Sequence, residues 1–435
     1  MIVHVTARWI VPVVTATVCD GWIEVDSDRG LIVGLGSGAV ASGRAGLTLH
    51  LGDVVILPGL VNAHTHLELS HLAGVVPPAG SFVAWVRALL HARGARRADT
   101  GAQIAAPHVA AAAVAAIAGM EATGTVAVGD VGNTDVALLP LAASSLSGVH
   151  FREALGFRTA DAARIAARTR SDATDAVAGL RAAGNTRLAI SVAPHAPYST
   201  SAALVQALQA GLPGAGHVST IHVGESPEEI EFLATGTGAC RALLEDLGAF
   251  DDGWAPPRVP PMEYLQSIGA LHHRLLVVHG THCGDAELMH LGAAGATLVL
   301  CARSNRWVGV GDPPVSRMFA SGVRVAIGTD SLASVDDLNL FAELAHLRGL
   351  APDLPAQALL RAATTGGADA LGCGALGRLA PGASWRAMVR RPPADVADVE
   401  QWLVADAAST GDLRWLDQLA GDAVQRAGPG THGAD

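Results

Sequence analysis

From about residue 54 onward one pattern recurs eight times in this 435-residue chain: a short apolar run, a polar loop, then an alanine-rich stretch. The first four runs are VVILPGLVNAH ending at His64, GTVAVGDVG from Gly124, GVHFREALGF from Gly148 and RLAISVAPHAP from Arg187. VSTIHVGES from Val218, LLVVHGTHC from Leu275, ATLVLCARSN from Ala296 and RVAIGTDSL from Arg324 complete the set. Runs this continuously apolar suit strands of a parallel sheet covered on both faces, and stretches such as 161–183 and 356–370 read as the covering helices. Eight strands alternating with helices favour a closed (β/α)₈ barrel over an open doubly wound sheet. No G-x-G-x-x-G follows the first strand, as a dinucleotide site would require.

The alternation occupies residues 55–375 and leaves both ends outside it. Residues 1–54 and 376–395 are rich in Gly, Pro and β-branched residues, and are expected to form one small β unit built from both ends of the chain. In the last segment, 396–435, WLVADAASTGDLRWLDQLAGDAVQ reads as helical and the tail GPGTHGAD as disordered. The apolar run 9–18 is preceded only by Arg8 and continues into GWIEVDSDRGLIVGLG, a pattern of short strands and turns rather than a cleaved leader. The alanine-rich run 105–120 contains His108 and reads as a buried helix, not a membrane span. The expected address is the cytoplasm.

Composition narrows the chemistry. Twenty-nine basic against 40 acidic residues give a formal charge of −11, which argues against nucleic-acid or anionic-membrane binding. There is no lysine, so a lysine Schiff base, a P-loop lysine and a carboxylated lysine bridging two metals are all excluded. The five cysteines, Cys19, Cys240, Cys283, Cys301 and Cys373, are scattered without a C-x-x-C, as expected for small residues in a reducing compartment. The H-x-E…P-C-x-x-C zinc pattern of small cytidine deaminases is also missing.

Polar residues gather where the expected strands end. Strand one ends in His64 and His66, strand four in His195, strand five in His222 and Glu225, strand six in His279 and strand eight in Asp330. Active sites of such barrels lie at the C-terminal ends of the strands, so these groups would converge. Residues i and i+2 of a strand share a face, so His64 and His66 can grip one ion; His222 and Asp330 would complete the set. Three histidines and an aspartate suit Zn²⁺, or Fe²⁺, better than Mg²⁺ or Ca²⁺. Taken singly each residue has an ordinary reading: a hydrogen-bonded core histidine, or for Asp330 a helix cap. Their joint placement favours the metal. His71, His91, His108, His150, His217, His272, His273, His290 and His346 fall elsewhere and read as surface or structural residues.

PGLVNAHTHLE, HAPYST, HVGES, VHGTHC, CARSN and GTDSLAS, in this order, resemble the amidohydrolase superfamily, and within it the mononuclear-metal branch of aminohydrolases and chlorohydrolases. The resemblance spans roughly residues 50–375 and implies a TIM barrel with a small β-sandwich made from both termini. It implies one divalent metal per chain, with His64, His66, His222 and Asp330 as ligands. Glu225 matches the proton-shuttling acid, His279 the histidine that acts on the attacking water with Asp330, and His195 a substrate contact. Together with SFVAWVRALL and FREALGF the motifs are most similar to aminodeoxyfutalosine deaminases, which act in the futalosine route to menaquinone. Relatives deaminate methylthioadenosine and S-adenosylhomocysteine. Ala302 stands where the family has proline, and SWRAMV from Ser384 replaces its usual A-D-hydrophobic run.

The expected reaction is therefore metal-dependent hydrolytic deamination of an adenine-containing nucleoside, with no nucleic-acid or membrane partner and with a homodimer allowed. Glu68 and Ser70 are candidates for sugar hydroxyls, and Ser331 for a further substrate contact. Arg152 and Arg303, at the ends of strands three and seven, could hold a substrate carboxylate; equally, Arg152 could pair with Glu153 or a helix end. Phe82, Trp85, Tyr198 and Trp307 would form an apolar lid or pack the helices. The rival readings are another hydrolysis on the same site, such as dechlorination, and a non-catalytic metal-binding scaffold.

Overall fold

The computed structural model describes residues 1–38, 46–99, 106–210 and 218–427. His217, the start of the 105–120 run and the tail GPGTHGAD lie outside them. All eight expected parallel strands form. Leu60–Thr65, Thr125–Gly132, Ser147–Ala154 and Leu188–Pro194 make one four-stranded parallel sheet in sequence order. Ser219–Val223, Leu275–His279, Thr297–Leu300 and Arg324–Ile327 make the second. Their residues are buried almost without exception, because helices cover the outer face and side chains fill the inner one.

Backbone bonds link the two sheets at both junctions. Thr329 N–H and Asp330 N–H both donate to His64 C=O, at 3.0 and 3.1 Å, and Thr65 pairs with Asp330 in a parallel bridge. At the other junction His222 N–H donates to His195 C=O at 2.9 Å. Strand ends that carry His64, His66, His195, His222 and Asp330 are thereby drawn to one side of the molecule.

The two ends of the chain share one seven-stranded mixed sheet. Ile2–Ile10 pairs antiparallel with Val18–Asp26, which pairs with Leu31–Ser37; Leu47–His50 runs parallel to the first strand. From the C-terminal side Ala387–Arg390 and Arg414–Trp415 join the same sheet.

Two details differ from the sequence reading. VVILPGLVNAH is not one strand but two. Val55–Pro58 pairs with Ala387–Arg390 in the terminal sheet, and after Gly59 the chain enters Leu60–Thr65. A Cβ on Gly59 would lie 2.1 Å from Val126 Cγ1, so only glycine lets the chain cross this close to the neighbouring strand. The C-terminal segment is not continuously helical either. Helices Val399–Ala405 and Leu416–Ala427 are separated by a turn and the short strand Arg414–Trp415. No helix among the described residues is long and apolar enough to cross a membrane.

Candidate active site

At the C-terminal strand ends three imidazoles point at one spot. His222 Nε2 lies 3.3 Å from both His66 Nε2 and His64 Nε2. Ligand atoms about 2.05 Å from a tetrahedral ion stand about 3.3 Å apart, so this spacing fits nitrogens aimed at one Zn²⁺-sized ion. Asp330 Oδ1 faces the same spot, 3.6 Å from His66 Nε2 and 3.8 Å from His64 Nε2. Burial, reinforced by the field of the neighbouring imidazoles, lowers the pKa of His66 to about 4 and that of His222 well below its usual range. Both rings are thus neutral at pH 7. His222 Nδ1–H is spent on His195 C=O at 2.9 Å, which leaves the Nε2 lone pair facing the spot.

Asp330 and His279 are held by consecutive residues of CARSN. Ser304 Oγ–H donates to Asp330 Oδ2 at 2.5 Å and Ser334 Oγ lies 3.1 Å from the same oxygen, so Oδ1 is the one turned to the histidines. Asn305 Oδ1 accepts from His279 Nδ1–H at 2.8 Å, while Asn305 Nδ2–H donates to Thr281 Oγ at 2.7 Å, which fixes the amide's orientation. His279 Nε2 is then an acceptor, and burial lowers that ring to about 4. Burial alone would raise Asp330, but the imidazoles around it, His64 first, hold it well below the carboxylate range. Both residues sit in the left-handed backbone region, His279 at φ 73° and Asp330 at φ 59°, a strained conformation that recurs at functional sites.

Glu225 follows Gly224, whose φ of 62° turns the chain off its strand, and precedes Ser226, which caps the helix Pro227–Thr235. The turn brings Glu225 Oε1 to 3.6 Å from His279 Nε2. Burial, then the negative field of Asp330, raises its pKa well above the usual range, which favours its protonated form.

These groups form the floor of a cavity of about 370 Å³. Glu68, His195 and Ser331 line it, and so do Phe82, Trp85 and Tyr198. His195 is neutral, its pKa lowered to about 3 chiefly by burial, and its Nδ1 lies 2.5 Å from Ser199 Oγ. Glu68 is fixed by Thr134, whose N–H and Oγ–H both donate to Oε2 at 3.0 and 2.7 Å.

Three expected contacts do not reach the lining, and neither does Trp307, for which packing was one of the two expected roles. Ser70 is buried in the short helix Leu67–Leu72. Arg152 points to the helical side and pairs with Asp135 at 3.3 Å and Asp172 at 3.1 Å, rather than with Glu153. Arg303 starts a helix instead of ending a strand and pairs with Asp337 at 2.8 Å. Trp307 bonds Val76 C=O through its indole N–H and packs beneath the cavity wall.

Two charged lining residues were not among the sequence candidates, Glu153 and Arg93. Glu153 alternates with Arg152 on the strand and faces inward, 3.7 Å from His222 Nδ1, with Asn133 Nδ2–H donating to its Oε2 at 2.9 Å. Burial, then Glu68, pushes its pKa up to about 8. Arg93, from the helix Phe82–Asp99, enters from the side. His150 lies outside the lining and plays a structural part: it binds Asp130 Oδ2 at 2.7 Å, and Asp130 Oδ1 accepts Leu67 N–H beside His66. Burial opposes charge on His150, but Asp130 and Asp135 carry its pKa up to about 9.

Residues 55–401 match the model of the amidohydrolase family. The chain is 32% identical over 330 residues to an aminodeoxyfutalosine deaminase of Deinococcus radiodurans, covering 73% of each protein. It is 30% identical over 378 residues to a 5-methylthioadenosine/S-adenosylhomocysteine deaminase of Nitratidesulfovibrio vulgaris, covering 83% of this chain and 77% of the relative. Among solved structures, a zinc-bound adenosine deaminase from Xanthomonas campestris superposes with a TM-score of 0.77 at 25% identity over 97% of both chains. A Helicobacter pylori aminofutalosine deaminase in complex with methylthio-coformycin shares the fold, with a TM-score of 0.77 at 22% identity over 92% of this chain and 94% of that one.

Proposed function

Because the chain belongs to the amidohydrolase family, we propose that its cavity carries out hydrolytic deamination of an adenine-containing nucleoside, with aminodeoxyfutalosine as the substrate. The observation that carries the reading is the pairing of a three-imidazole cluster and an Asp330 held well below the carboxylate range with a Glu225 raised well above it, all on one cavity floor. Deamination needs a base for water and an acid for the purine, and the two carboxyls are pushed apart in pKa as that division of labour demands. The eight strands would close as a (β/α)₈ barrel over residues 55–375. The terminal sheet (1–54 and 376–395) would form the small β-sandwich, and 396–435 a C-terminal appendage.

His64, His66, His222 and Asp330 would hold one divalent ion, Zn²⁺ by their chemistry and Fe²⁺ as the second choice. Bound there, the ion would supply Lewis-acid polarisation and lower the pKa of water towards about 7. Asp330 Oδ1 accepts the water proton, and His279 Nε2 orients the oxygen towards C6 of the purine. Glu225 donates its proton to the ring nitrogen beside C6. A C–O bond forms, the proton held by Asp330 passes to the amino nitrogen as the C–N bond breaks and ammonia leaves, and the proton of the new hydroxyl restores Glu225. Glu68 is placed to receive sugar hydroxyls, and His195 contacts the base or sugar.

The test is ammonia release by zinc-loaded protein from aminodeoxyfutalosine, methylthioadenosine, S-adenosylhomocysteine and adenosine, followed by loss of the adenine absorbance band. Highest kcat/KM on aminodeoxyfutalosine is expected. Highest kcat/KM on methylthioadenosine would favour the second reading, which the apolar outer cavity wall supports. Halide release from chlorotriazines without ammonia from any nucleoside would overturn both.

A further inference from the structure

The cavity is chemically two-ended. Its floor is polar, while Trp85, Leu89, Phe157, Leu243 and Leu244 make its outer wall apolar. Two helices supply most of that wall, Phe82–Asp99 and Ala239–Asp246, and Arg87 ties them across the opening through Asp246 at 2.5 Å. Leu90, Leu155 and Leu247 stand at the rim 38%, 45% and 56% exposed, apolar surface that a bound molecule would cover. A bare nucleoside sitting on the floor would leave this wall unused. The wall fits an apolar arm extending outward from the sugar.

Arg93 breaks the apolar pattern. It is the one lysine or arginine lining the cavity among the described residues, with its side chain 34% exposed. Its ion-pair partner there is Glu68 Oε1 at 3.6 Å, beyond hydrogen-bond distance; Glu68 is already anchored by Thr134 through the other oxygen, and the Arg93 charge also acts on Glu153 without a hydrogen bond to it. The guanidinium fork therefore keeps donors for a ligand. The other two arginines near the strand ends cannot serve, since Arg152 and Arg303 are engaged by aspartates outside the cavity.

Resting on the deaminase reading, we propose that Arg93 is the specificity-determining residue of this cavity, reading a carboxylate at the end of an apolar arm on the nucleoside sugar. Glu68 and Arg93 then divide the substrate beyond the base: the carboxylate of Glu68 takes hydroxyl donors, and the guanidinium takes the anion.

The test compares an adenine nucleoside bearing a 5′ carboxyphenyl arm with its methyl ester, by equilibrium calorimetry and by ammonia release, on zinc-loaded protein. Wild-type protein is expected to prefer the acid. Arg93→Gln is expected to lower the acid-to-ester ratio of both affinity and kcat/KM by roughly 10- to 100-fold, the worth of a charge-assisted hydrogen bond. Arg93→Lys, which keeps charge without the fork, should recover part of the ratio and guards against a folding defect in the glutamine variant. An unchanged ratio in Arg93→Gln, including an equal loss for both ligands, overturns the proposal, because it would mean that Arg93 acts only on Glu68. An Arg93-dependent binding preference without ammonia release would instead overturn the deaminase reading and leave this one standing.

Discussion

Ser304 Oγ donates to Asp330 Oδ2 at 2.5 Å, and with Ser334 it occupies one side of the carboxylate, so that Oδ1 alone faces His64 and His66. The next residue, Asn305, performs the same service for His279. One turn of backbone thus aims two residues that come from different strands and that both sit at positive φ. A strained backbone at these ends persists only because neighbouring bonds over-determine it.

Ser304→Ala should therefore weaken the proposed metal site without removing one of its proposed ligands. A 10- to 100-fold loss of metal affinity is expected, roughly the usual effect of losing a partner behind a ligand. Competition with a chelator measures it, and an unchanged affinity would show that Ser334 suffices alone.

Glu225→Gln should keep the metal and lose turnover. Glutamine preserves the shape but cannot pass a proton, so kcat should fall by at least ~10² at full metal occupancy. Metal analysis alongside the rate separates this from a collapsed site, and near-normal turnover would remove Glu225 from the proton path.

Metal removal gives a reversible prediction. Chelator-treated protein should be inactive and recover with Zn²⁺ or Fe²⁺ but not with Mg²⁺, because imidazole nitrogens are poor magnesium ligands. Activity that survives exhaustive chelation would argue for different chemistry.

His150 makes a pH prediction on stability. Its folded-state pKa of about 9 lies above its usual 6.5, so its stabilisation is complete below about 6.5 and is lost as pH rises through about 9. The shift corresponds to something on the order of 3 kcal/mol. Denaturant unfolding of wild type should show falling stability across that window, and His150→Gln should be less stable at pH 6.5 with a flatter profile. Parallel profiles would mean that His150 is neutral in the fold.

Much of this site can be read in the sequence because strand ends announce themselves. HTH, HVGES, VHGTHC and GTDS each follow an apolar run, and the fold brings those ends together on one side. The substrate contacts are less legible. In FREA, Arg152 and Glu153 are adjacent, alternation sends them to opposite faces, and nothing in the four letters says which one faces inward. Arg93 lies in an unremarkable helix, SFVAWVRALLHAR, and enters the cavity only because that helix packs over the opening.

The sequence by itself determined the eight parallel strands, the two-ended β unit and which His and Asp residues stand at the strand ends. Periodicity and residue chemistry are local properties, and they survive without coordinates. Only the tertiary structure decided that the first apolar run breaks at Gly59, that Ser304 and Asn305 aim Asp330 and His279, and that Arg93 rather than Arg152 or Arg303 meets the cavity. These are contacts between segments far apart in the chain, and their outcome depends on how helices and strands pack. The residue types alone leave that packing open.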